Sequence, residues 1–119
     1  MTDIPPLSQE VNQLHADICS ALADPSRILL IYALAEKPSM VNELAAAIGA
    51  SQPATSRHLK VLRERGLLTA TRQGANVEYS LNDRRLVEAL DILRLVLRDS
   101  VVYRASLMEL GISPAETGT

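Results

Sequence analysis

The stretch VNELAAAIGASQPATSRHLKVLRERG, residues 41–66, decides how the rest of the chain is read. Its middle, Gly49-Ala50-Ser51-Gln52-Pro53, holds an end and a beginning in direct succession. Gly49 can adopt the left-handed conformation that closes a helix and turns the chain. Ser51 offers a hydroxyl to the free amides of a following helix, and Pro53 fits a first turn without losing a backbone bond. Upstream, the inward pair Leu44 and Ile48 predicts a helix over about 40–48, capped by Ser39. Downstream, Thr55, Leu59 and Leu62 are spaced by four and three residues, and Gly66 closes the helix they define. Two helices joined by a short Gly turn make a helix-turn-helix candidate.

Leu67–Arg72 and Asn76–Leu81 then form two short segments rich in β-formers around Gln73-Gly74-Ala75, and in the second Val77, Tyr79 and Leu81 alternate onto one face. A two-stranded hairpin after a helix-turn-helix is the layout of a winged helix. Before the deciding stretch, Leu7, Val11, Leu14, Ile18 and Leu22 step by four, three, four and four, predicting a first helix over about 8–22. Asp24-Pro25 restarts the chain as a helix over about 25–36, which buries Ile28, Ile31 and Leu34 and stops before Pro38. After the hairpin, Asn82 or Asp83 caps a long last helix over about 83–109, ended by Gly111 and Pro114.

That last helix carries Leu86, Val87, Leu90, Leu93, Val96, Leu97, Val101, Val102, Tyr103, Leu107 and Met108 around more than half its circumference, so it must be buried on two sides. In a small domain the second side meets another copy, with the aliphatic stripe of the first helix as companion. The expected architecture is therefore mainly α with a small two-stranded β-hairpin: a winged helix-turn-helix of four helices, two strands and a final helix, homodimeric through its first and last helices. Residues 8–110 form the DNA-binding and dimerisation domain, 1–7 a flexible N-terminal segment and 111–119 a disordered tail.

Length and composition agree with one such unit. A chain of 119 residues is long enough for one domain with a real core and too short for two ordinary ones. With three Tyr and neither Phe nor Trp, that core must be built from aliphatic side chains, which favours packed helices. No segment approaches the roughly 18 apolar residues of a membrane span, and MTDIPPLSQE lacks the basic start and apolar core of a signal peptide, so a soluble cytoplasmic protein is expected. The single Cys19 excludes an intrachain disulfide and CxxC chemistry.

The net charge of −2 at first speaks against a nucleic-acid partner, but its distribution reverses that reading. Residues 52–72 hold Arg57, Lys60, Arg63, Arg65 and Arg72 against the lone acid Glu64, a net +4 that leaves −6 for the remainder. The helix capped by Ser51 and closed by Gly66 points Gln52, Pro53, Ser56, Arg57, Lys60 and Arg63 away from its core face. Gln pairs bidentately with adenine, Arg with guanine and Ser with either, while Lys60 and Arg63 suit phosphates. Arg72, Gln73 and Asn76 at the hairpin tip reach a neighbouring groove or the backbone. His58 falls at the boundary of the buried and exposed faces, as a packing residue or a phosphate contact. The alternative, a merely solvated basic face, does not account for short polar Gln52 and Ser56 beside Arg57 at the N-terminal half of a second helix. A two-fold dimer presents two such helices about 34 Å apart, matching an inverted-repeat operator.

The runs ALADPSRILLIYAL, VNELAAAIGASQPATSRHLKVLRERGLL and TRQGANVEYSLND, in that order, resemble the ArsR/SmtB winged-helix transcriptional regulators over about residues 14–100. The resemblance implies a homodimer that binds operator DNA, usually as a repressor released by a metal ion or another small signal. It places the recognition residues on Gln52, Ser56, Arg57 and their neighbours. The effector motifs of the family are missing. Where arsenite and cadmium sensors carry Cys-x-Cys-Asp-Leu, this chain has Met40-Val41-Asn42-Glu43-Leu44. Where zinc and nickel sensors place an aspartate, two histidines and a further ligand on the last helix, it has Asp83, Arg85, Val96 and Asp99. Redox members pair two cysteines, and this chain has one.

His15 and Cys19 remain, four apart on the first helix with Asp17 between them. Imidazole and thiolate suit a divalent ion such as nickel or zinc, with Asp91, Asp99 or Glu88 of a second copy completing the shell. The plainer reading makes Cys19 a small buried hydrophobe and His15 a surface residue. Without a metal, the regulator is a non-sensing DNA-binding subunit controlled by a partner protein or an organic ligand. An enzyme is not expected, because neither nucleophilic-triad spacing nor a phosphate-cradling Gly loop occurs.

Overall fold

The structure, a computed structural model, describes residues 6–111. Of the flexible segment expected at 1–7 and the disordered tail expected at 111–119, residues 1–5 and 112–119 lie outside the described residues. Two compact units divide between Arg84 and Arg85. The first runs α1 (Leu7–Leu14), a π turn (His15–Cys19), α2 (Pro25–Glu36), β1 (Ser39–Met40), α3 (Val41–Ile48), α4 (Gln52–Glu64), β2 (Leu68–Gln73) and β3 (Asn76–Leu81). The second is α5 (Arg85–Glu109).

Local signals set most of these boundaries. The Asp24 carboxylate accepts from Ser26 N at 2.8 Å and starts α2. α3 ends at Gly49, whose φ of +68° lets Ala50 N reach back to Ala45 O at 3.0 Å. Ser51 Oγ accepts from Ala54 N at 3.2 Å and caps α4, and the buried Thr55 hydroxyl donates to Ser51 O at 2.8 Å. Ser51→Ala is expected to destabilise the protein by about 1 kcal/mol, read as a fall in Tm with the fold kept.

The core of the first unit is aliphatic: Ala21, Leu30, Ile31, Leu34, Leu44, Ala45, Leu59, Leu62 and Leu68 are buried. α2 packs on both α3 and α4. It does so through Leu30, Ile31 and Leu34, while Ile28, expected inside, is only half-buried. Leu30 takes its place beside Ile31 and Leu34.

Three expectations are corrected. The first helix is not a continuous α-helix over 8–22, because Ser20 N bonds to His15 O at 2.9 Å, five residues back, and opens a π turn. The Ser20 hydroxyl at the same point donates to Ala16 O, so a side chain takes the carbonyl that an α-helical amide would use. Ser39 does not cap α3. It belongs to β1, which pairs antiparallel with β3 through Ser39↔Tyr79 and Met40↔Glu78. The start of α3 is satisfied instead by Glu43, which accepts from Met40 N at 3.0 Å; this bond, reinforced by nearby Lys37, holds the Glu43 carboxyl below its ordinary pKa. The sheet consequently has three strands, in the order β1-β3-β2, rather than two.

Taken by itself, α5 has Leu90 and Leu107 as its buried residues, while Leu93, Val96, Leu97, Val101, Val102 and Tyr103 are each more than half exposed. Burial on two sides is therefore not met within one chain. No helix of the described residues is long and apolar enough to cross a membrane.

Candidate nucleic-acid interface

α4 divides cleanly into two faces. Thr55, Leu59 and Leu62 are buried, and Gln52, Pro53, Ser56, Arg57, Lys60 and Arg63 are exposed. α3 stands across the Gly49-Ala50-Ser51 turn, so α4 is the second helix of a helix-turn-helix. The side chains of Arg57, Arg63 and Arg72 have no hydrogen bond or ion pair among the described residues. Lys60 Nζ lies 3.9 Å from Glu64 Oε1, an exposed i,i+4 pair of the kind worth only a few tenths of a kcal/mol, so the lysine is readily released to another anion.

The hairpin forms a wing beside this helix. Gln73 pairs with Asn76 across a two-residue loop, and Gly74 at its first position has φ +65°, which such loops require. Arg72, Gln73 and Asn76 are exposed at the tip. The root of the wing is held by Asn82, a residue whose role the sequence did not show. Its Nδ2 donates to Gly66 O at 2.8 Å, its Oδ1 accepts from the Thr69 hydroxyl, and its backbone N donates to Leu67 O at 3.1 Å. The Asn82 amide thus joins the wing to the end of α4.

His58 is half-buried with Nδ1 3.3 Å from Arg27 Nη1, a packing position. Arg65, counted only as charge in the sequence, lies 3.7 Å from Asp17. His15 and Cys19 are both exposed on the π turn, so Cys19 is not the buried hydrophobe of the plainer reading. Asp17 between them also accepts from the Gln13 amide. Beside them, Glu10, Gln13, Leu14, Asp17 and Ile18 line a shallow open groove. Among the described residues, no group of three or more His, Cys, Asp and Glu side chains is placed to hold a metal ion.

A second helix with a polar, cationic outer face, flanked by a hairpin with a cationic tip, defines a winged helix-turn-helix DNA-binding regulator. Comparison with known proteins gives the family. Residues 24–70 match the bacterial regulatory protein, arsR family. The chain is 35% identical over 108 residues to the HTH-type transcriptional regulator NmtR of Mycobacterium tuberculosis, spanning 91% of this chain and 83% of that one. It is 43% identical to the transcriptional repressor SmtB homolog of Synechocystis over 81 residues, 68% of this chain and 61% of that one. The fold superposes with a TM-score of 0.70 on the homodimeric winged helix-turn-helix DNA-binding domain Mb0332 of Mycobacterium bovis at 21% identity, covering 87% of this chain and 95% of that one. This chain belongs to the ArsR family of transcriptional regulators.

Proposed function

We propose that the protein binds an inverted-repeat operator as a homodimer, with α4 of each copy in the major groove and the wing on the adjacent backbone. The observation that carries this reading is the outer face of α4, where exposed Gln52, Ser56 and Arg57 are free to meet base edges. Lys60, Arg63 and Arg72 supply phosphate contacts, with Pro53 at the helix start and Gln73 and Asn76 at the wing tip completing the surface. Dimerisation is supported by two apolar faces left open in a single chain: Leu7, Val11 and Leu14 on α1, and the exposed residues of α5. The neighbour Mb0332, described as a homodimer, supports the same assembly.

Selection of duplexes from a randomised pool tests this directly. Enriched sequences are expected to contain two half-sites related by two-fold symmetry about one helical turn apart, with affinity falling steeply as salt rises. Enrichment of nothing, or of single half-sites, would overturn it.

Control by a divalent ion rests on His15 and Cys19. One chain supplies only these two donors, short of the four of a nickel or zinc shell, so the ion requires carboxylates from the second copy. Asp91, Asp99 and Glu88 on α5 are the carboxylates in question; the exposed Asp91–Arg94 pair at 3.5 Å is too weak to withhold Asp91 from an ion. If this reading holds, zinc or nickel binds the dimer, binding is lost in Cys19→Ala and His15→Ala, and metal changes affinity for the selected duplex. Metal binding without that change would turn control over to a partner protein or an organic ligand.

A further inference from the structure

Arg27, in the first turn of α2, has no task in the DNA-contact surface, yet its guanidinium reaches more groups than any other side chain of the first unit whose contacts are described above. Nε donates to Ala21 O at 2.6 Å and Nη2 to Ser20 O at 3.3 Å. Nη1 lies 3.3 Å from His58 Nδ1 and 4.0 Å from Asp24 Oδ2. Its side chain is only 16% exposed, so solvent screens these contacts little. Ser20 and Ala21 follow the π turn; Ser20 O already accepts from Ala23 N at 3.3 Å, so Arg27 adds a second donor there, and its shorter bond is the one to Ala21 O. A guanidinium has donors only, so His58 Nδ1 accepts and the ring proton resides on Nε2.

His58 is the neighbour of Arg57 and sits at the edge between the two faces of α4. Thr55, Leu59 and Leu62 hold the inner face by packing, whose driving force is non-directional. A directional bond at the edge adds an orientational constraint to that packing. We propose that Arg27 is a positioning residue for the recognition helix: through His58 it ties α4 to the Ser20 and Ala21 carbonyls and sets the azimuth at which Ser56 and Arg57 meet DNA. The Asp17–Arg65 pair joins the same two regions, but both side chains are at least 40% exposed and it contributes far less. The inference rests on the operator-binding reading above.

The test uses the full chain, a duplex selected by the wild-type protein from a randomised pool, and a scrambled duplex of equal length, each titrated over a salt series. Arg27→Lys, which keeps the charge but not the fork, and His58→Ala are each expected to weaken binding to the selected duplex about tenfold, the loss of roughly one correctly read base pair. Binding to the scrambled duplex and the salt slope should stay unchanged, because no phosphate contact is removed. The double variant should be no weaker than the weaker single one, and His58→Asn, whose amide oxygen can replace Nδ1 as acceptor, should restore affinity. His58→Ala keeps the Arg27 bonds to Ser20 and Ala21, so it tests the link even if Arg27→Lys fails to fold. Wild-type affinity in His58→Ala, additive losses, or equal losses on both duplexes with a shallower salt slope would overturn the positioning role. If the wild-type protein selects no sequence at all, the operator-binding reading falls first and the positioning role with it.

Discussion

Replacing Leu97 and Val101 together by glutamate is expected to yield a folded monomer whose affinity for the selected duplex is lower by about two to four orders of magnitude. The residues lie one turn apart on α5 and are 64% and 58% exposed in a single chain, so the charges cost the chain's own core nothing. In a dimer they would be buried, and an unpaired carboxylate in an apolar interface costs several kcal/mol. Loss of the dimer removes the second half-site contact, and linked binding is typically worth about 10²–10⁴ in affinity. Sedimentation should report the monomer, far-UV circular dichroism an unchanged helix content, and DNA titration the loss. A dimer that survives both charges would place the interface elsewhere, and a monomer with undiminished affinity would remove the two-fold operator from the proposal.

Arg57→Ala is expected to have the next largest effect. A bidentate arginine–guanine contact is worth about 1–3 kcal/mol, and a symmetric dimer makes it twice, so the total loss is about 2–6 kcal/mol. The decisive sign is its form. Arg57→Ala should relax the base preference at one position of each half-site, because only a base contact has been lost. Arg63→Ala should weaken selected and scrambled duplexes alike and lower the salt slope by about one per chain, as expected of a phosphate contact. The two arginines sit on the same exposed face of α4 and carry the same charge, so the comparison isolates readout from electrostatics. If Arg57→Ala behaves like Arg63→Ala, sequence is read elsewhere, with Gln52 and Ser56 the next residues to replace.

The helix-turn-helix and its wing were legible because their determinants are local. Gly49, Ser51 and Pro53 act within one or two turns of themselves, and the alternation of the hairpin strands is a property of consecutive residues. The outer face of α4 followed from the same periodicity that identified Thr55, Leu59 and Leu62 as its inner face. An exposed apolar surface on α5 was equally legible, since a stripe that wraps most of a helix cannot be covered by one contact.

By itself, then, the sequence determined the order of helices and hairpin, the inner and outer faces of α4 and the charge concentrated on it, since caps, glycines and spacing operate over a few residues. Only the tertiary structure decided the rest. Ser39 looked like a helix cap, and it became a strand because β3 lay within reach of its backbone. Asn82 had every property of a cap, and its amide went to Gly66 and Thr69 once the wing folded back to the end of α4. Arg27 carried no periodic signal at all, because its partner His58 stands 31 residues away and a single directional bond leaves no pattern in the chain. Such contacts depend on which surfaces the fold brings together, and that information resides in the packing of whole elements, not in any stretch of residues read alone.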